Sequence, residues 1–133
     1  MKAEDYHTNQ WCQNIQTDFM EFLNKEYVKG SKTLEIASGD RPISGVVIAT
    51  DYSTSLTNPK VVKGINVLNL PYKDKEFDLV LCRNFISCFD CIGKPELKAL
   101  AIREMKRVGK AVYIREFNPK LCLNFYLHKI GIQ

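Results

Sequence analysis

Residues 33–51 read TLEIASGDRPISGVVIATD, and the way apolar runs alternate with small and polar residues here decides the fold. Thr33 to Ala37 reads as a short apolar strand, Ser38-Gly39 as a small-residue turn, and Val46 to Thr50 as a second apolar strand ending on Asp51. Backbone can approach a ligand closely at Gly39, which has no Cβ in the way. A carboxylate ending the neighbouring strand is placed to accept hydrogen bonds from both hydroxyls of a ribose. Turn and carboxylate together point to a nucleoside cofactor. The G-x-G-x-x-G fingerprint of dinucleotide sites is absent, since glycines occur here only at 39 and 45.

The residues from Ser38 to Gly45 leave no room for a crossover helix between these strands. If the strands are parallel, the loop must return the length of a strand, roughly 17 Å. That is within the reach of an extended chain of this length, about 26–29 Å. An antiparallel hairpin is the easier local solution, and it would carry Asp51 to the opposite end of the sheet from Gly39.

Outward from this stretch, residues 9–29 place Trp11, Ile15, Phe19, Phe22, Leu23 and Tyr27 on one helical face. Thr8 or Asn9 can cap the start of that helix and Gly30 its end. Downstream, Ser53 to Lys63 is polar, contains Asn58-Pro59 and reads as a loop. Gly64 to Leu68 reads as a third strand and Phe77 to Cys82 as a fourth, apolar enough to lie centrally. Pro95 opens a helix to about residue 108, with Leu97, Leu100, Ala101, Met105 and Val108 inward. Lys98, Arg103, Lys106 and Arg107 occupy its other face, which reads as solvated. Ala111 to Arg115 reads as a fifth strand, and residues 119–133 form an apolar C-terminal segment.

In order, LEIASG, the strand-end Asp51, NVLNLPY (66–72), FDLVLC (77–82) and REMKRV (103–108) resemble the class I S-adenosylmethionine (SAM) dependent methyltransferases. Their patterns run LEIGSG, a strand-end Asp, DAxxLPF, FDLV and E-x-x-RVLKPGG. A subgroup with an LxLGxGxxxxPG pattern also omits the first crossover helix, and ASGDRPISG is similar to it, which favours parallel strands. The resemblance covers residues 33–118. It implies a Rossmann-like α/β domain whose mostly parallel five-stranded sheet has order 3-2-1-4-5 with flanking helices. It also implies SAM as cofactor and methyl transfer as reaction. Glu35 would help hold the methionine end, with the backbone of Ala37, Ser38 and Gly39 facing the cofactor. Asp51 would bind the ribose, Tyr52 would pack on adenine, and Asn66 with Val67 would meet the adenine edge. Cys82 and Arg83 would lie beside the sulfonium. Tyr6, His7 and Trp11 could close over the site. Ala37 departs from the pattern by replacing the first motif glycine, and Arg107-Val-Gly-Lys110 lacks the Leu-Lys-Pro-Gly turn.

At 133 residues the chain suits a single domain, comprising a helical segment (1–30), the SAM-binding core (33–118) and the C-terminal segment (119–133). A net charge of +4 permits an anionic partner but gives little support to nucleic-acid binding. No apolar run suits a membrane span and no secretory leader is evident. Five cysteines without an export signal suggest free thiols in the cytoplasm. Cys88 and Cys91 lack the second pair that a zinc site needs, so no metal is expected. The methyl acceptor and the catalytic groups are not legible, and Asp90 and Tyr113 are guesses at a base. The C-terminal segment could support a homodimer or a protein partner. A methyltransferase-like module that binds SAM or a partner without catalysis, and a dinucleotide oxidoreductase, remain the rival readings.

Overall fold

The computed structural model describes residues 31–43, 46, 48–83 and 85–115, with Cys91 described by its backbone alone. The expected N-terminal helix, its lid residues and the C-terminal apolar segment lie outside the described residues. Strand β1 (Thr33–Ile36) pairs on one side with β2 (Ile48–Asp51), which pairs with β3 (Val61–Lys63). On its other side β1 pairs with β4 (Phe77–Arg83), which pairs with β5 (Gly109–Arg115). Every pairing is parallel and the spatial order is β3-β2-β1-β4-β5. Two helices, α1 (Cys88–Cys91) and α2 (Glu96–Val108), join β4 to β5.

Both readings of the β1–β2 connection were chemically sound, and the chain takes the parallel one, with Leu34 opposite Ile48 and Glu35 opposite Ala49. The loop contributes its own apolar cover. Ile43 is buried with Leu79 and Leu81, and Val46 and Tyr113 pack against them. That side chain fills sheet surface which a crossover helix would otherwise cover. On the other face α2 buries Ala101, Met105 and Val108 against Leu34, Val80 and Cys82. These apolar positions recur at helical spacing and form one stripe.

Helix α2 runs straight into β5, and Gly109 makes that junction sterically feasible. A Cβ there would lie 2.5 Å from Val80 Cγ2 and 3.0 Å from the Ala111 carbonyl oxygen.

Two expectations need correction. The third strand is Val61–Lys63, not Gly64 to Leu68. Among the described residues it lies at the sheet edge with Val62 and Lys63 exposed, so no buried apolar run marks it in the sequence. Gly64, at φ 73°, turns the chain out of the sheet. Asn66 then accepts the Leu68 amide on its side-chain oxygen at 2.9 Å, building a turn where a strand was expected.

Arg107, expected on a solvated face, instead ties α2 to the loop before β4. It donates to the carbonyls of Leu70 (2.9 Å) and Tyr72 (2.8 Å) and to the carboxylates of Asp74 (2.9 Å) and Glu104 (2.6 Å). Glu104 in turn accepts the Leu70 amide at 2.6 Å. No helix among the described residues is long and apolar enough to cross a membrane.

Candidate functional site

Parallel order brings the carboxyl ends of β1, β2, β3 and β4 to one edge, the position where open α/β sheets bind ligands. Here lies a cavity of about 200 Å³, lined by Ile36 at the end of β1 and Ala37 just after it, Tyr52 after β2, and Ile65 to Leu68 after β3. Phe85, Phe89 and Ile92, from the segment after β4, complete its wall. Phe85 and Phe89 meet edge to face with ring centroids 5.6 Å apart, which fixes both rings. Tyr52 is 54% exposed although it lines the cavity. An exposed aromatic face beside an apolar hollow is suited to stacking on a flat heterocycle.

The turn after β1 is held from several sides. The Ser38 amide donates to the Thr50 carbonyl at 3.0 Å, carrying the β1–β2 ladder one step past the strand end. Gly39 adopts φ 62° and Ala37 φ 56°, both left-handed. Glycine tolerates that region, whereas an alanine there costs of order 1–2 kcal/mol. The surrounding bonds therefore hold Ala37 where the methyltransferase pattern has glycine. Asp40 accepts the amides of Thr57 and Asn58, each at 2.9 Å, and so binds this turn to the loop after β2. Burial raises the affinity of the Asp40 carboxyl for a proton, but the Asn58 and Thr57 hydrogen bonds outweigh it and leave its pKa below the usual value.

Asp51 is 2% exposed, and each of its oxygens accepts a backbone amide at 2.9 Å, Oδ2 from Gly39 and Oδ1 from Ser53. A carboxylate offers about four acceptor sites, so these two bonds leave capacity for hydroxyl donors. Glu35 lies beneath the turn with its side chain fully buried, accepting the Ile43 amide (2.8 Å) on Oε1 and Arg83 Nε (2.7 Å) on Oε2. Arg83 also donates to the Arg41 carbonyl at 2.6 Å and to that of Ser38 at 3.4 Å. Of the residues expected at the site, Ala37, Tyr52, Asn66 and Val67 line the cavity. Gly39 and Asp51 bond to each other, adjoining it in the chain. Glu35, Ser38 and Arg83 meet under the turn, and Cys82 is fully buried in the core.

The sequence reading missed Ile36, Ile65, Leu68, Phe85, Phe89 and Ile92. Apolar side chains on a cavity wall and in a core have the same composition. The one available signal was the pair of aromatics four positions apart just past a central strand.

These residues fit SAM. The hollow is smaller than the 300–1,000 Å³ of pockets for whole drug-sized ligands, yet its flat apolar walls suit a purine ring. The Asn66 side chain offers amide polarity at its edge, and the Asp51 carboxylate lies next in the chain to Tyr52. No protein-family model and no curated protein matches the chain. Its fold is similar to that of a SAM-dependent methyltransferase from Thermotoga maritima, with 26% identity and a TM-score of 0.50 over 67% of this chain and 44% of that one. It is also similar to the PH0226 protein from Pyrococcus horikoshii, with 23% identity and a TM-score of 0.56 over 75% of this chain and 54% of that one. The chain spans about half the length of these two structures. Sheet order and neighbours together give it the class I SAM-dependent methyltransferase fold.

Proposed function

We propose that this chain binds SAM at the carboxyl edge of β1, β2, β3 and β4 and takes part in methyl transfer. The observation that carries the reading is the apolar cavity lined by Ala37, Tyr52, Asn66 and Val67, a slot for a base in which Tyr52 follows the Asp51 carboxylate directly in the chain. Tyr52 packs on the adenine face, Asn66 and Val67 meet its edge, and Asp51 accepts from the ribose hydroxyls. The Phe85–Phe89 wall excludes water from that end of the site. SAM held there would supply a methyl group made electrophilic by its sulfonium. The chain's own part in the rate is orientation of cofactor and acceptor, which needs no acid or base on the cavity wall.

A second reading has an observation of its own. Among the described residues that line the cavity, Tyr52 is the only titratable one, so the domain could hold SAM as a ligand without catalysis. Calorimetric titration of SAM into wild type and Tyr52→Ala tests the shared step. Wild type should bind, and Tyr52→Ala should bind about 5- to 150-fold more weakly, the loss of one stacked aromatic face. Release of S-adenosylhomocysteine on incubation with SAM and cell extract, reduced in Tyr52→Ala, supports transfer. Binding without release supports the ligand reading, and absence of binding by wild type rejects both.

A further inference from the structure

Glu35 and Arg83 are far apart in sequence and form a buried pair with side chains 0% and 5% exposed. Taking both groups out of water is costly, and a buried pair is tolerated only when its remaining hydrogen-bonding capacity is used. Three bonds of the pair reach one segment. Glu35 Oε1 takes the amide of Ile43, while Arg83 donates to the carbonyls of Ser38 and Arg41. Each of these backbone groups belongs to the loop after β1, which has no helix to order it. The same loop carries Gly39, whose amide meets Asp51.

We infer that Arg83, acting with Glu35, is a positioning residue that stands in for the missing crossover helix. It clamps loop 38–43 at both ends and thereby sets the affinity of the site for SAM. A crossover helix would satisfy such amides and carbonyls within its own turns. Here a guanidinium fork and a carboxylate do so from below, the planar donor set reaching Glu35 and two loop carbonyls at once. Lysine keeps the charge but presents a single ammonium, which cannot reproduce the fork. The inference rests on the SAM reading for its second half only.

The test compares wild type with Arg83→Lys and with the double variant Glu35→Met/Arg83→Met. The double variant removes both charges together and is expected to keep the fold even if the lysine variant does not. Amide hydrogen exchange by NMR is read at Gly39 and Ile43 in the loop and at Val80 and Leu81 in β4, alongside calorimetric titration with SAM. The expected result is faster exchange in the loop, unchanged protection in β4 and about a tenfold or greater rise in Kd, the scale of one lost charge-assisted hydrogen bond. Unchanged loop exchange overturns the clamp. Loosening of β4 together with the loop also overturns it, because the pair would then be a general element of the core. Loop loosening at unchanged Kd overturns the link to affinity. If wild type binds no SAM, the methyltransferase reading and the affinity half fail together, while exchange still decides whether the pair holds the loop.

Discussion

Asp51 combines a structural and a proposed ligand-binding task in one carboxylate, and this constrains how it can be altered. Both its oxygens face backbone N–H donors, so Asp51→Asn must turn its NH2 toward one of them. We expect it to lose about 1–3 kcal/mol of stability in urea unfolding, the cost of leaving a buried donor unpaired. Two glycines are costly to replace for different reasons. At Gly39 an added Cβ meets nothing within 4 Å, and Gly39→Ala should cost only the left-handed strain, about 1–2 kcal/mol. At Gly109 the Cβ would strike Val80, which is fully buried. Gly109→Ala should therefore cost about 1–3 kcal/mol from overpacking, and Val80→Ala in the same chain should recover part of it. Stability curves for the two glycine variants and the double variant check both claims.

Among the elements, α2 has the clearest pH signature. Its Glu104 is held below the ordinary carboxyl range of 4.5, chiefly by the Arg107 hydrogen bond and further by the Leu70 amide, with burial opposing. A carboxyl depressed in the folded state contributes stability that is present above the unfolded pKa and is lost as pH falls through the folded one. Wild type should thus lose stability on acidification below about pH 4.5, and Glu104→Gln should lose less over the same interval. The difference is about 1 kcal/mol or less because the pair is partly solvated. Urea midpoints of both proteins at about pH 6 and about pH 3.5 measure it. Helix α2 and strands β1, β2, β4 and β5 were legible because each carries a period or an apolar run of its own. Strand β3 was not, since Val61 alone of its residues is buried and its pairing with β2 is a tertiary fact. The ion pair was illegible for the same reason. Glu35 and Arg83 lie 48 positions apart, and neither residue type announces its partner. Glu104 and Arg107 did stand in a motif, but three-residue spacing on a helix shows only that they are neighbours, not which loop they capture.

For the whole molecule, ligand linkage gives a direct expectation. A ligand that binds only the folded chain stabilises it by about 2.7 kcal/mol at a hundredfold excess over Kd. SAM should raise the unfolding midpoint of wild type, and Tyr52→Ala should show a smaller rise at the same concentration with its cofactor-free midpoint little changed, because that side chain is largely exposed. The connection between β1 and β2 also shapes the order of assembly. Leu34 pairs with Ile48 across a short span of chain and with Val80 across a long one, and closing the longer span costs about 1 kcal/mol more in chain entropy. The first two strands can therefore find each other early, but the Arg83 that orders the loop between them arrives only when β4 docks. The polypeptide that would carry the ligand thus forms its surroundings before its own shape, and it is free to let go of that shape first without parting the strands on either side.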